Sequence, residues 1–220
     1  MPEIDVDKIL EQKEAEEKKQ KAIKRIKIYG AVLAAVVLAG IAGFFVFIAF
    51  LGEKSTKYFP LTGDKVMFFN TTGENPEKWE FGNDTVEIDG YECAVINKVD
   101  TAKNRTKQNY FYYDAENGIV RYAYSNNFED RKKSSFVYLP ARVRDGKEFI
   151  AASVRGVDIK GSVEGFEIMT SAAGEFETMK VEYKGEPYYD KIMWYAKGVG
   201  IVKEKDNLRK KEMDLISIVD

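Results

Sequence analysis

The 220-residue chain has no histidine and a single cysteine. Without an imidazole it can form no Ser-His-Asp or Cys-His nucleophile pair, no His-based metal site and no histidine acid/base working near neutral pH. Cys93, alone, cannot close an internal disulfide or supply a cysteine-rich zinc site. Lying in the strand-like run Tyr91-Glu92-Cys93-Ala94-Val95-Ile96, it is expected to act as a small buried hydrophobe. An excess of either charge is also missing: 34 Lys and Arg stand against 36 Asp and Glu, for a net charge of −2. A nucleic-acid partner, which calls for a basic face and a high isoelectric point, is therefore not expected. Prolines number five, and Pro60, Pro76, Pro140 and Pro187 stand where a strand would begin or a loop would run. No catalytic, metal-binding or cofactor-binding constellation emerges, and no cofactor is expected.

What is present first is one long apolar run. From Ile28 to Gly52 no residue is charged, and at about 1.5 Å rise per residue such a helix exceeds the roughly 30 Å hydrocarbon core of a bilayer. The sequence thus predicts a single transmembrane helix over residues 28–52. Its N-terminal flank, Lys18 to Lys27, is basic without an acid, whereas the distal side opens with Glu53-Lys54-Ser55. The positive-inside bias puts residues 1–27 in the cytoplasm as a short, solvated charged segment and residues 53–220 outside. A cleaved secretory signal would have an apolar region of only about 7–15 residues and a small-residue cleavage site. This run is longer and ends on the bulky Phe44-Phe45-Val46-Phe47, so an uncleaved signal-anchor is expected. Ala31, Ala35, Ala39 and Gly43 recur at four-residue spacing and form one small stripe, a candidate helix–helix interface in lipid.

Residues 53–220 read as β-structure. Val120, Tyr122 and Tyr124 alternate with Arg121, Ala123 and Ser125, and Leu215 to Val219 form a strand-like run. Asp89-Gly90, Asn117-Gly118, Asp145-Gly146, Glu164-Gly165 and Lys184-Gly185 punctuate the apolar segments as turn signals. The expected fold is mainly β: one extracytoplasmic domain built on an antiparallel meander, curved into an unclosed barrel or a sandwich.

Two stretches frame that domain. Tyr58-Phe59-Pro60-Leu61-Thr62-Gly63-Asp64-Lys65-Val66 resembles the opening of a widespread group of bacterial envelope proteins, often lipoproteins. Ala173-Gly174-Glu175-Phe176-Glu177-Thr178-Met179-Lys180-Val181, followed by Trp194-Tyr195-Ala196-Lys197-Gly198-Val199-Gly200-Ile201-Val202-Lys203, is similar to their closing segment. The resemblance implies a bacterial envelope location and a strongly curved antiparallel sheet like the unclosed barrels of lipoprotein carriers and mycobacterial lipid-binding lipoproteins. Val66 stands near the usual aromatic residue, and a membrane helix replaces the lipidated cysteine, which argues against free shuttling through the periplasm. Gly198 and Gly200 are read as structural glycines, allowing a bulge or close backbone approach.

The aromatic residues offer the remaining candidates. Tyr110, Tyr112, Tyr122, Tyr124, Phe136, Tyr138 and Trp194 could line a hydrophobic face, although aromatic residues are also what a pleated, half-buried sheet needs for its core. The mixed charges around Arg131, Lys132, Lys133, Arg142, Arg144 and Arg155 read as a solvated surface. The expectation is a non-enzymatic accessory or scaffold protein of the bacterial cytoplasmic membrane. It would bind other transmembrane or envelope proteins, or a second copy of itself, with membrane lipid around its helix. The alternative is a tethered module for lipid or another hydrophobic ligand.

Overall fold

The computed structural model describes residues 33, 35–44, 51–72, 76–101, 103, 105–122 and 135–219. The chain divides into two compact units, 1–50 and 51–220. In the first, residues 35–44 are helical, so the four-residue spacing does place Ala35, Ala39 and Gly43 on one helix face. Ala31, the charged segment 1–27 and most of the expected 28–52 span lie outside the described residues. Among the described residues no helix is long and apolar enough to cross a membrane.

The described part of the second unit is mainly β-structure. Its strands are β1 (Glu53–Lys54), β2 (Lys65–Thr71), β3 (Glu77–Ile88), β4 (Tyr91–Asp100), β5 (Arg105–Asp114), β6 (Gly118–Tyr122) and β7 (Phe136–Leu139). After them come β8 (Arg142–Val143), β9 (Glu148–Val154), β10 (Val157–Ser171), β11 (Gly174–Gly185), β12 (Tyr189–Ala196), β13 (Gly200–Asp206) and β14 (Lys211–Val219). Twelve of them make a single sheet in the order β7-β6-β5-β4-β3-β2-β14-β13-β12-β11-β10-β9, every pair antiparallel. Two meanders, β2 to β7 and β9 to β14, are thus joined where the first long strand pairs the last. The sheet curls until its edge strands β7 and β9 come into contact without a hydrogen-bonded register. The result is a nearly closed barrel, more closed than the sequence suggests, and a single sheet instead of a sandwich.

The curvature has identifiable sources. Register shifts interrupt β3, β10, β13 and β14, and each extra residue bends its strand and increases local twist. Gly165, read in the sequence as a turn residue, borders one of these shifts: it sits inside β10 opposite Lys180 at φ 129°, where an ordinary residue would be strained. Asp89-Gly90, by contrast, makes the tight β3–β4 turn, with both residues at positive φ.

The inner face carries the core. Phe59, held just after a 3-10 turn at Ser55–Lys57, reaches into the barrel, its ring 5.1 Å from Phe111, 5.9 Å from Tyr138 and 6.3 Å from Tyr195. Phe69 and Trp79 meet at 5.0 Å with their rings tilted by 50°, and Phe136 lies against Tyr183 and Tyr189. These side chains, with Ile96, Ile119, Leu139, Met179 and Leu215, form one continuous buried cluster, against which the partly buried Tyr189 packs.

Candidate ligand-binding site at the barrel mouth

Above the aromatic layer the barrel interior becomes polar. The Tyr183 hydroxyl donates to the carbonyl oxygen of Tyr138 and lies 2.8 Å from the Tyr195 hydroxyl. Burial in this apolar interior drives the Tyr183 and Tyr195 hydroxyls well above the ordinary tyrosine pKa, so both stay protonated.

Next comes a layer of charge. Met193 on β12 faces Glu204 on β13, and Lys191 faces Asp206, so the two acids meet the lysine across the strand pair. The Lys191 ammonium bonds Glu204 and lies 3.4 Å from Asp206, whose side chain is only 7% exposed. Burial works against the Lys191 charge, but these two carboxylates outweigh it and hold its pKa above the ordinary lysine value. Asp206 also accepts the backbone N–H of Arg209 at 2.9 Å, which shapes the β13–β14 turn, and its other oxygen is 3.5 Å from the Arg209 guanidinium.

These groups border a cavity of about 330 Å³ that opens at the end of the barrel, lined by Thr71, Glu77, Lys98, Lys191, Glu204, Asp206, Arg209, Lys211, Glu212 and Met213. Its size lies at the low end of the range for small-molecule pockets, about 300–1,000 Å³. Two of its residues are unusual. Lys98, next to Trp79 across the β3–β4 ladder, holds its ammonium 3.6 Å from the centre of the Trp79 ring. Among the described residues no carboxylate approaches it within ion-pair distance. Burial pushes its pKa down to about 8, the attraction of Glu204 and Glu77 offsetting only part of that cost. Thr71 is 7% exposed, and its hydroxyl oxygen is buried without a hydrogen-bond partner among the described residues. Glu77, by comparison, accepts the Trp79 indole N–H at 3.0 Å.

The residues expected to line a hydrophobic face are divided by the sheet. Phe136 and Tyr138 point inward with Phe59 and Phe111. Tyr110, Tyr112 and Tyr122 share the opposite face, where Tyr112 stacks on Tyr91 at 4.3 Å and borders a separate cavity of about 230 Å³. Trp194 lies between Lys180 and Lys203 on the outer side of its strand, its indole donating to Glu167. Tyr124 lies outside the described residues. Gly198 and Gly200 take φ values of 75° and 109° in and after the β12–β13 turn, and a Cβ on either would meet nothing within 4 Å. The turn needs positive φ at both positions, and the Gly198 N–H donates to the backbone carbonyl of Lys57 at 2.7 Å.

The mouth residues were not singled out by their sequence. The available signal was Lys98 standing in the apolar phase of Ala94, Ile96 and Lys98 on β4. A lysine at an inward position is costly unless it has a task.

No protein-family model matches the chain, and no curated protein matches it. Among solved structures the chain is similar to a Bacteroides fragilis protein described as exported and of YmcC-like fold. The two share 15% identity and a TM-score of 0.41, covering 74% of this chain and 99% of that one. It is also similar to a Parabacteroides distasonis protein described as a lipoprotein, with 12% identity and a TM-score of 0.37, covering 74% of this chain and 98% of that one.

Proposed function

We propose that this protein works in the bacterial cell envelope by binding and not by catalysis, as a domain tethered outside the cytoplasmic membrane by an N-terminal signal-anchor. The uncharged run Ile28–Gly52 with its basic N-terminal flank supports the tether and its orientation. The observation that carries the binding reading is the way the barrel is filled. Aromatic side chains from Phe59 to Tyr195 pack the interior, and the cavity at the mouth is lined largely by charged residues. A lipid-acyl channel would instead need a deep, apolar, empty interior. The packed core therefore favours an accessory or scaffold protein, with the mouth as its recognition site, over a hydrophobic-ligand carrier.

Full-length protein extracted in mild detergent from its native membrane and read by native mass spectrometry tests this. The expected ions carry a bound component: another envelope protein, a second copy, or a small molecule. A bare monomer would overturn the binding reading, and a bound diacyl lipid retained by residues 53–220 alone would favour the carrier.

A further inference from the structure

Four cations and four acids line the mouth: Lys98, Lys191, Arg209 and Lys211 against Glu77, Glu204, Asp206 and Glu212. The acids are largely engaged. Glu204 and Asp206 hold Lys191, Asp206 also holds Arg209, Glu77 takes the Trp79 indole, and Glu212 lies 3.5 Å from Lys203. Lys98 has only an aromatic face, and Thr71 has a buried hydroxyl with nothing to bond among the described residues. A buried polar atom left unpaired costs about 1–3 kcal/mol, and a partly buried cation without a counter-charge also costs free energy. Both groups border the same cavity.

We propose that the barrel mouth is a site for one small anion, a carboxylate or phosphate group that pairs with the Lys98 ammonium and accepts the Thr71 hydroxyl. The inference rests on the binding reading above and names the chemistry of its ligand. An entering anion would give each group the partner it lacks, while the lining acids, already paired, would exclude a second negative charge. Trp79 forms the floor beneath the ammonium, so binding alters the surroundings of the indole directly.

The test uses the full-length chain in detergent. Trp194→Phe leaves Trp79 as the only tryptophan, and its emission is followed during titration with inorganic phosphate, with acetate and with water-soluble dihexanoyl phosphatidic acid. Calorimetry on the unsubstituted chain gives a second measurement. A saturable response to at least one probe is expected, on the order of millimolar for a bare anion. Lys98→Met should weaken it by about tenfold or more, Thr71→Val by about threefold, and Lys98→Arg should retain it. A response to the phosphatidic acid at much lower concentration than to phosphate would assign the anion to a lipid headgroup, and the reverse order to a soluble ligand. Besides Glu77 and Glu204, the groups facing Lys98 are Lys191, Arg121 and its cross-strand partner Lys107. Because the Lys98 pKa is held near 8, affinity should fall as the pH rises beyond that value. Absence of a saturable response to all three probes, or unchanged binding in folded Lys98→Met and Thr71→Val variants, would overturn the assignment. Either result would leave the partner-binding reading standing on its own mass-spectrometric test.

Discussion

The Lys98 ammonium rests over the Trp79 ring, 3.6 Å from its centre, at the point where the aromatic interior meets the charged mouth. The ring's electron-rich face offsets part of the cost of burying the charge, typically about 0.5–2 kcal/mol. It does not restore the ordinary lysine pKa, since burial leaves Lys98 near 8.

That imbalance predicts a substitution that stabilises the fold. Replacing Lys98 with Met keeps the stem volume and removes the charge, so the variant should gain about 1–2 kcal/mol near neutral pH. Thermal melts should show a rise of several degrees, at about 2–4 °C per kcal/mol for a domain of this size. An unchanged or lower melting temperature would show that Trp79 compensates the charge fully.

The same residue sets a pH dependence with a definite sign. Its folded pKa, about 8, lies below the ordinary value of 10.5, so between those values the unfolded chain binds more protons and stability rises with pH. The stability advantage of Lys98→Met over the parent should therefore shrink between pH 8 and 10.5. Paired melts across that window, read as a difference, cancel the groups common to both proteins. A constant difference would refute the shift.

Inward and outward aromatic residues should respond differently. Phe59→Ala removes the ring that touches Phe111, Tyr138 and Tyr195 and should cost about 3–5 kcal/mol in chemical denaturation. Tyr110→Ala, on the outer face and only half-buried, should cost about 1 kcal/mol or less. Equal losses would contradict the assignment of faces.

Two glycines at positive φ separate conformational strain from steric clash. Gly90 turns β3 into β4 at φ 81° with open space around it, so Gly90→Ala should cost about 1 kcal/mol. Gly118 has φ 97°, and a Cβ there would lie 2.1 Å from the Leu139 carbonyl oxygen. Gly118→Ala must push β6 from the segment after β7 and should cost several kcal/mol or abolish folding, as circular dichroism would report.

In the N-terminal helix, Ala35, Ala39 and Gly43 share one face. Replacing all three with Leu should weaken membrane-embedded association without lowering expression, because bulk there separates helix backbones while the run stays apolar. An unchanged complex size on native gels would mark the stripe as ordinary composition.

The sequence by itself determined the β class, the unbroken apolar run and several turns, because these are local. Alternation along Val120 to Tyr124 and the pair Asp89-Gly90 act over a few residues, whatever the rest of the chain does. Which side of the sheet a residue faces was settled by bulges and strand pairing, which are not local. Tyr110 and Phe111 are neighbours in an aromatic run, yet one lies outside and the other packs on Phe59. On β13, Ile201 faces Tyr195 but Glu204 faces Met193, two residues further along β12 and three along β13. That one extra residue turns Glu204 and Asp206 inward onto Lys191, and a period-two reading of the strand would not place Ile201 and both acids on the same face. The mouth then assembles from the ends of β2, β3, β4, β12 and β13 with the start of β14. Only closing the sheet through the β2–β14 pairing brings those strand ends together, so Thr71 and Lys98 read as ordinary strand residues until the barrel has formed.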